Sequence, residues 1–219
     1  MEELLSRIIK REDNEIIIRG RSKFHGCEHE IIQDRIEAGT FLIIGACLGN
    51  ELKIEYRQSK YLKSLIELLI DLGVNIKINK NHLIVSNVDV IKDVNIICDT
   101  YPSIPTDLQQ PLSILLSRCN KHCLIKDNIY PSRYTQIDDL NKMGFDMKIE
   151  NGTLIVKRAI DINGNVVECK DLRGGASLVI AGLIAKGETK ILNIEHIERG
   201  YFNILDKLKK IGAKVYEEN

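Results

Sequence analysis

Four prolines and fifteen glycines in 219 residues are too few for a collagen-like, low-complexity or disordered chain, and the 44% hydrophobic and 28% charged content is that of a globular protein. An excess of charge of one sign is also lacking. Thirty-one Lys and Arg balance 31 Asp and Glu, with no strongly basic run, so a general nucleic-acid partner is not expected, because binding phosphates needs surplus cations. The longest apolar runs, Phe41 to Leu48 and Leu178 to Ala185, are about eight residues against roughly 20 for a bilayer span; no membrane partner is expected. The start, Met1-Glu2-Glu3-Leu4-Leu5, is acidic where an export or transit signal carries positive charge. A cytoplasmic location follows as the default, and the six cysteines read as reduced thiols.

Short chemical motifs are scarce too. Cys119 and Cys123 flank His122, but zinc ligands usually pair as CxxC with a second such pair further on, and none follows. The five histidines form no HExxH, and the glycines form neither a P-loop nor a GxGxxG after a strand. Neither a metal nor an organic cofactor is expected.

What the sequence has is repetition, at a length that can bury roughly 70% of its unfolded surface. Leu68 to Ile78, Leu140 to Ile149 and Leu208 to Tyr216 share one design. Each is an amphipathic helix that stops at a glycine (Gly73, Gly144, Gly212), where a left-handed C-cap meets no Cβ clash, and then passes into an alternating strand. Upstream of each glycine an aspartate opens an earlier helix: Asp34, Asp107 and Asp171, at intervals of 39, 37 and 41 residues. Between these marks come an apolar helix, a strand (Leu52 to Tyr56, Cys123 to Ile129, Thr189 to Ile194) and the second helix. Two units close in a hairpin, Lys77 to Val85 and Lys148 to Val156, the latter turning at Asn151-Gly152; the third runs out of chain at Asn219. The predicted fold is α/β (α+β), one domain over 28–219 built from three βαβαββ pseudo-repeats at about 28–93, 94–160 and 161–219. Residues 1–27 read as the remnant of a preceding unit, with one or two helical turns at Leu4 to Ile9 and a strand over Asn14 to Gly20.

Helix starts bind anions, and loops between repeats converge on one edge, so the unit starts are where chemistry is expected. Three clusters stand out: Gln33-Asp34-Arg35-Ile36-Glu37-Ala38-Gly39-Thr40, Ile104-Pro105-Thr106-Asp107-Leu108-Gln109, and Lys170-Asp171-Leu172-Arg173-Gly174-Gly175-Ala176-Ser177. The plain role of an aspartate there is to cap a helix, and Thr106 or Asp107 could do the same. Arg35, Arg133, Arg173 and Arg199 add guanidinium groups suited to phosphate or carboxylate.

These three clusters, with His196-Ile197-Glu198-Arg199-Gly200-Tyr201, resemble in order and spacing the family of UDP-N-acetylglucosamine enolpyruvyl (1-carboxyvinyl) transferases, relatives of the shikimate-pathway enolpyruvyl transferases. The resemblance covers nearly the whole chain, but only the second of that family's two domains. It implies an inside-out α/β barrel, or α/β prism, with helices inside and sheets outside. It implies transfer of the enolpyruvyl group of phosphoenolpyruvate to the 3-hydroxyl of UDP-N-acetylglucosamine, which begins peptidoglycan precursor synthesis; these two molecules are the expected ligands. By the match, Asp107 falls on the aspartate that binds the sugar hydroxyl and serves as candidate base. Ile129 falls on a backbone contact to the nucleotide sugar, Arg199 on an arginine that grips phosphoenolpyruvate, Asp171 and Arg173 on a pair beside that site, and Arg133 on another arginine of the cleft.

The first domain would supply a lysine-asparagine pair, further arginines and a mobile loop with a proton donor, and none of the six cysteines here occupies that loop position. The resemblance also implies a missing strand and an unpaired sheet edge. Two readings stand: a carboxyvinyltransferase whose first domain is on a separate chain or on sequence beyond this one, inactive alone; or a noncatalytic sugar-nucleotide-binding or interaction module derived from it.

Overall fold

The computed structural model describes residues 9–12, 15–18, 26–48 and 51–218, and the chain divides into two compact units, Met1–Ile32 and Gln33–Asn219. In the first, β1 (Ile9–Glu12) and β2 (Glu15–Ile18) pair antiparallel, Ile9 opposite Ile18. The strand expected from Asn14 is present as β2, but Ile9 opens a strand rather than ending a helix; Leu4 to Ile8 lie outside the described residues.

The second unit runs α1 (Arg35–Leu48), β3 (Leu52–Glu55), α2 (Lys63–Asp71), β4 (Asn75–Ile78), β5 (His82–Ser86), then β6 (Asn95–Cys98), α3 (Gln109–Leu116), β7 (His122–Asp127), α4 (Ile137–Lys142), β8 (Met147–Glu150), β9 (Thr153–Lys157), then β10 (Val166–Glu168), α5 (Leu172–Ile184), β11 (Lys190–Leu192), α6 (Glu195–Glu198) and α7 (Ile204–Lys210). This is a mixed α/β body. Helices apolar on all sides belong in a core, and α1, α3 and α5 pack on one another; all eight residues of α3 are buried. α2, by contrast, is amphipathic, burying Leu65, Ile66 and Leu69 and leaving Lys63 and Glu67 outside as an exposed pair. No helix among the described residues is long and apolar enough to cross a membrane.

The sheets lie in three pieces. β3, β5 and β4 form one in that order, with β5 antiparallel to both neighbours. The second is ordered β6-β7-β9-β8, with β6 parallel to β7. The third is β10 parallel to β11. Burial alternates with period two in β7 and β9, as for strands with one face on a core. The Asn151-Gly152 turn joins β8 to β9 with both residues at positive φ (50° and 73°), as a tight two-residue hairpin demands. Gly73, Gly144 and Gly212 sit at φ of 97°, 102° and 92°, the left-handed stops expected of them.

One expected strand is missing. Ala213 to Tyr216 follow Gly212 as the sequence design requires, yet residues 213–218 form no ladder. A strand is held by its neighbour; β4 has β5 and β8 has β9, whereas this segment has no hairpin partner among the described residues. The strands expected at 52–56, 123–129 and 189–194 are present but shorter, ending where the backbone turns to build loops.

Candidate active site

Three separate loops deliver charged side chains to one place: the 3-10 turn Thr106–Leu108 ahead of α3, the loop after β7, and the start of α5. The first is fixed by Pro105, extended at φ −65° and ψ 135°, and by Thr106 Oγ1, which donates to Asp127 Oδ2 at 2.5 Å. The alternation of β7 turns Cys123, Ile125 and Asp127 inward. Asp127 Oδ1 accepts the amides of Ile129 (2.8 Å) and Tyr130 (3.0 Å), folding the following loop so that Arg133 returns towards the first turn. At α5, Asp171 Oδ1 accepts the amides of Arg173 (3.0 Å) and Gly174 (3.1 Å), an N-cap that orients Arg173. Gly175 lets this helix start come close to its support: a Cβ there would stand 2.5 Å from Ile197 Cγ1.

The result is a closed set of four charges. Arg133 Nη1 donates to Asp107 Oδ1 at 3.0 Å, and Arg173 Nη2 to Asp107 Oδ2 at 3.3 Å. Arg133 Nη2 lies 3.6 Å from Asp171 Oδ1, whose Oδ2 accepts from Thr135 Oγ1 and, at 3.5 Å, from Gln110 Nε2. The Arg173 guanidinium stacks over the Tyr201 ring, 5.4 Å from its centre, and the Tyr201 hydroxyl shares a buried 2.9 Å hydrogen bond with Thr40 Oγ1. Arg133 lies over Tyr130 at 5.5 Å. The Arg173 side chain is only 11% exposed, that of Asp107 35%, so the cluster is partly screened from water with the carboxylate as its accessible group.

Burial alone would push the Asp107 carboxyl up, but the hydrogen bonds and charges of Arg173 and Arg133 outweigh it and hold it below the ordinary carboxylate range. Asp171 is likewise lowered: desolvation is overcome by Thr135, the amides of Gly174 and Arg173, and the charge of Arg133. Two carboxylates and two guanidiniums cancel, so these four groups alone present no net charge to an anion.

Of the residues picked from sequence, Asp107, Arg133, Asp171 and Arg173 come together. Asp171 is a helix cap as well as a cluster member, and Asp34 caps α1 through Ile36 N and Glu37 N (2.7 and 3.1 Å). Neither Thr106 nor Asp107 caps α3, because Thr106 is engaged by Asp127 and Asp107 by the arginines. Ile129 sits in the loop that carries Arg133, its N–H taken by Asp127. Arg199 ends α6, exposed and outside the ion pairs of the cluster, and Arg35 lies over the Tyr101 ring at 5.7 Å.

Sequence reasoning missed Thr135, Gln110, Gln136 and Asp127. Two of them carried a signal: Asp127 occupies a core-facing register of an alternating strand, and Gln110 lies in an apolar helix, fully buried and donating to Gln136 Oε1 at 2.8 Å. A buried polar group asks for a partner.

One group of metal-ligand type exists among the described residues: Asp93, Cys119 and Cys123 hold their ligand atoms within 4.8 Å of one another. His122 is not in it. Both thiols are already engaged, Cys123 Sγ accepting from Val94 N at 3.4 Å and Cys119 Sγ donating to Val156 O at 3.8 Å. Burial pushes the Cys119 thiol up to about 12.

Known proteins match the chain along its length. The family model for EPSP synthase (3-phosphoshikimate 1-carboxyvinyltransferase) matches residues 1–208. UDP-N-acetylglucosamine 1-carboxyvinyltransferase 2 of Listeria monocytogenes is 43% identical over 212 residues, 96% of this chain and 50% of that protein. Its namesake in Bacillus subtilis is 42% identical over 206 residues, 94% and 48%. Among solved structures, the enolpyruvyl transferase NikO of Streptomyces tendae superposes with a TM-score of 0.78 at 23% identity, over 84% of this chain and 44% of its own. EPSP synthase of Acinetobacter baumannii gives 0.72 at 18%, over 100% and 55%; both are likenesses of fold. The chain spans about half the length of the curated relatives it matches. A family model covering residues 1–208 and identities above 40% over nearly the whole chain establish that it belongs to the EPSP synthase family of carboxyvinyltransferases.

Proposed function

We propose that this chain supplies one half of an enzyme that transfers the enolpyruvyl group of phosphoenolpyruvate to the 3-hydroxyl of UDP-N-acetylglucosamine, releasing phosphate in the cytoplasm at the start of peptidoglycan precursor synthesis. The observation that carries it is the meeting of Asp107 with Arg133, Arg173 and Asp171, from three loops far apart in sequence, at the positions the resemblance assigns to substrate. In this reading residues 28–219 form a three-sided prism of βαβαββ units, an arrangement supported by the mutual packing of α1, α3 and α5.

The chemistry needs a base for the sugar hydroxyl, a proton for the methylene carbon of phosphoenolpyruvate, and cations for its phosphate and carboxylate. Asp107 is ionised and partly accessible, but a carboxylate held low by two guanidiniums is a weak base. Substrate anions drawing Arg133 or Arg173 to themselves raise its basicity as they bind, so activation is coupled to occupancy. Ile129 meets the nucleotide sugar through its carbonyl, since its N–H is taken, and Arg199, unpaired within the cluster, turns to the phosphoenolpyruvate phosphate. The four clustered charges cancel, so the further cations and the proton donor come from the other half, and the chain alone gives no turnover.

That cancellation also favours a second reading, a noncatalytic module that binds a sugar nucleotide. The test is phosphate release from phosphoenolpyruvate with UDP-N-acetylglucosamine, using the chain alone and mixed with the non-aligned half of the Listeria monocytogenes relative. Release only from the mixture, abolished by Asp107→Ala, is expected. Release from the chain alone that Asp107→Ala abolishes refutes the need for a second half; heat on UDP-N-acetylglucosamine titration without release in the mixture favours the module.

A further inference from the structure

Asp93, Cys119 and Cys123 take no part in the charged cluster, yet they hold a carboxylate oxygen and two sulfurs within 4.8 Å of one another. Three pieces of backbone bring them together: the loop ahead of β6, the turn that ends α3 and the start of β7. Cys123 faces inward by the alternation of β7, four residues before Asp127, which sets the trio about 13 Å along the strand from the loops that carry the charges. Both cysteines are 0% exposed, whereas Asp93 lies at the surface. The trio is therefore dry on its sulfur side and open to solvent through its carboxylate.

The backbone around these residues is already fixed. Ile91 N–H donates to Arg118 O and Leu124 N–H to Val94 O, both at 3.1 Å, so the segments 91–94 and 118–124 are held side by side. Lys121 N–H donates to Asp93 Oδ1 at 3.0 Å, which orients the carboxylate and leaves Oδ2 without a partner among the described residues. Val94 N–H donates to Cys123 Sγ at 3.4 Å, and an amide in that position stabilises a thiolate. Outer hydrogen bonds of this kind orient the ligands of metal sites. Cys119-Asn120-Lys121-His122-Cys123 has the C-x3-C spacing, inside the range of zinc-binding cysteine pairs. In place of the second pair sought in the sequence, the fold brings up the carboxylate of Asp93.

We propose that Asp93, Cys119 and Cys123 bind one zinc ion, with water in the fourth position. Two thiolates and a carboxylate suit a thiophilic cation, whereas magnesium and calcium take oxygen ligands. A tetrahedral zinc has bonds of about 2.3 Å to sulfur and about 2.1 Å to oxygen, which sets its ligand atoms roughly 3.5–3.8 Å apart, so movements of about 1 Å close the trio on the ion. Without the ion the buried thiols stay protonated; the ion displaces one proton from each into solvent, because a coordinating thiol is deprotonated outright. Cys123 keeps its bond from Val94 N–H, and Cys119 gives up only its 3.8 Å contact to Val156 O. Bound there, the ion ties the end of α3 to β7 and to the entry of β6, at the far ends of the elements that present Asp107 and Asp127. The proposal is independent of the enzymatic reading.

The experiment titrates Zn²⁺ into the full chain, metal-free and reduced with a phosphine, against a chromophoric chelator, and repeats the titration with Cd²⁺, whose thiolate bonds absorb in the ultraviolet. One ion per chain, one proton released from each of the two thiols, a sulfur-to-cadmium absorption band and a melting temperature that rises with free Zn²⁺ are expected. Asp93→Asn keeps an acceptor for Lys121 N–H at an exposed position and is expected to weaken Zn²⁺ binding by about tenfold or more; Cys119→Ser and Cys123→Ser are expected to weaken it further. Cys27→Ser, which removes the exposed thiol, is expected to leave the affinity unchanged. Circular dichroism of each variant before titration separates a lost site from a lost fold, and if the cysteine variants unfold, the Asp93→Asn result decides. No binding, binding that survives both cysteine variants, binding unchanged in Asp93→Asn, or binding lost in Cys27→Ser overturns the proposal.

Discussion

Replacing Asp171 by alanine separates a helix cap from a network member, because Asp34 offers a comparison that is a cap only. Both carboxylates accept two amides at a helix start, worth about 1 kcal/mol in each case. Asp171 in addition accepts from Thr135 and Gln110 and faces Arg133 at 3.6 Å. A hydrogen bond to a charged acceptor contributes about 1.5–3 kcal/mol; the ion pair, with both side chains about a quarter exposed, adds no more than about 1 kcal/mol after screening. Asp171→Ala is therefore expected to cost about 3 kcal/mol and Asp34→Ala about 1 kcal/mol. At roughly 2–4 °C per kcal/mol for a domain of this size, the melting temperature falls by about 6–12 °C in the first and about 2–4 °C in the second. Asp171→Asn keeps an acceptor for the cap and should lie between them. The assay is thermal unfolding by circular dichroism at pH 7, with urea unfolding to check that the slope is unchanged. Equal losses in the two alanine variants would show that the Thr135, Gln110 and Arg133 contacts contribute nothing, and the reasoning about the cluster would be wrong.

Asp107 and Asp171 both have folded pKa values below the ordinary carboxylate value of about 4, so their stabilisation is complete above that pH and is lost as pH falls through the folded values. The urea midpoint should hold from pH 7 to 5 and decline below about 4, less steeply in Asp171→Asn; the same slope in both proteins would contradict this. Tyr201→Phe removes the buried hydroxyl partner of Thr40, which keeps its bond to Ile36 O, and should cost about 1 kcal/mol by urea unfolding. Gly175→Ala forces a methyl against Cys169 and Ile197 and should cost about 1–3 kcal/mol, displacing Arg173 and with it any ligand heat; a melting temperature equal to the parent's would count against the close packing. Of six thiols only Cys27 is exposed, so an aromatic disulfide reagent should titrate one thiol per native chain and six in urea, and fast reaction of a second would mean that the buried set is open.

Much of this fold could be read from the chain because its signals are local. Apolar runs, capping aspartates and stop glycines act within a few residues of themselves, and so Asp34, Asp171, Gly73, Gly144 and Gly212 take the roles their neighbours assign. The expected strand at Ala213 to Tyr216 fails for the opposite reason: its residues suit a strand, but pairing is a property of two segments, and the second is not at hand among the described residues.

The sequence by itself determined the three-part rhythm, the family and the four charged residues worth examining, since each depends on residue type and spacing. Only the tertiary structure decided that Asp107 does not cap its helix but spans two arginines, that the four charges cancel, and that Asp127 and Gln110 hold the loops beneath them. These features depend on distance between residues as far apart as Asp107 and Arg173, and charge balance and buried polar contacts exist only when the chain has closed on itself.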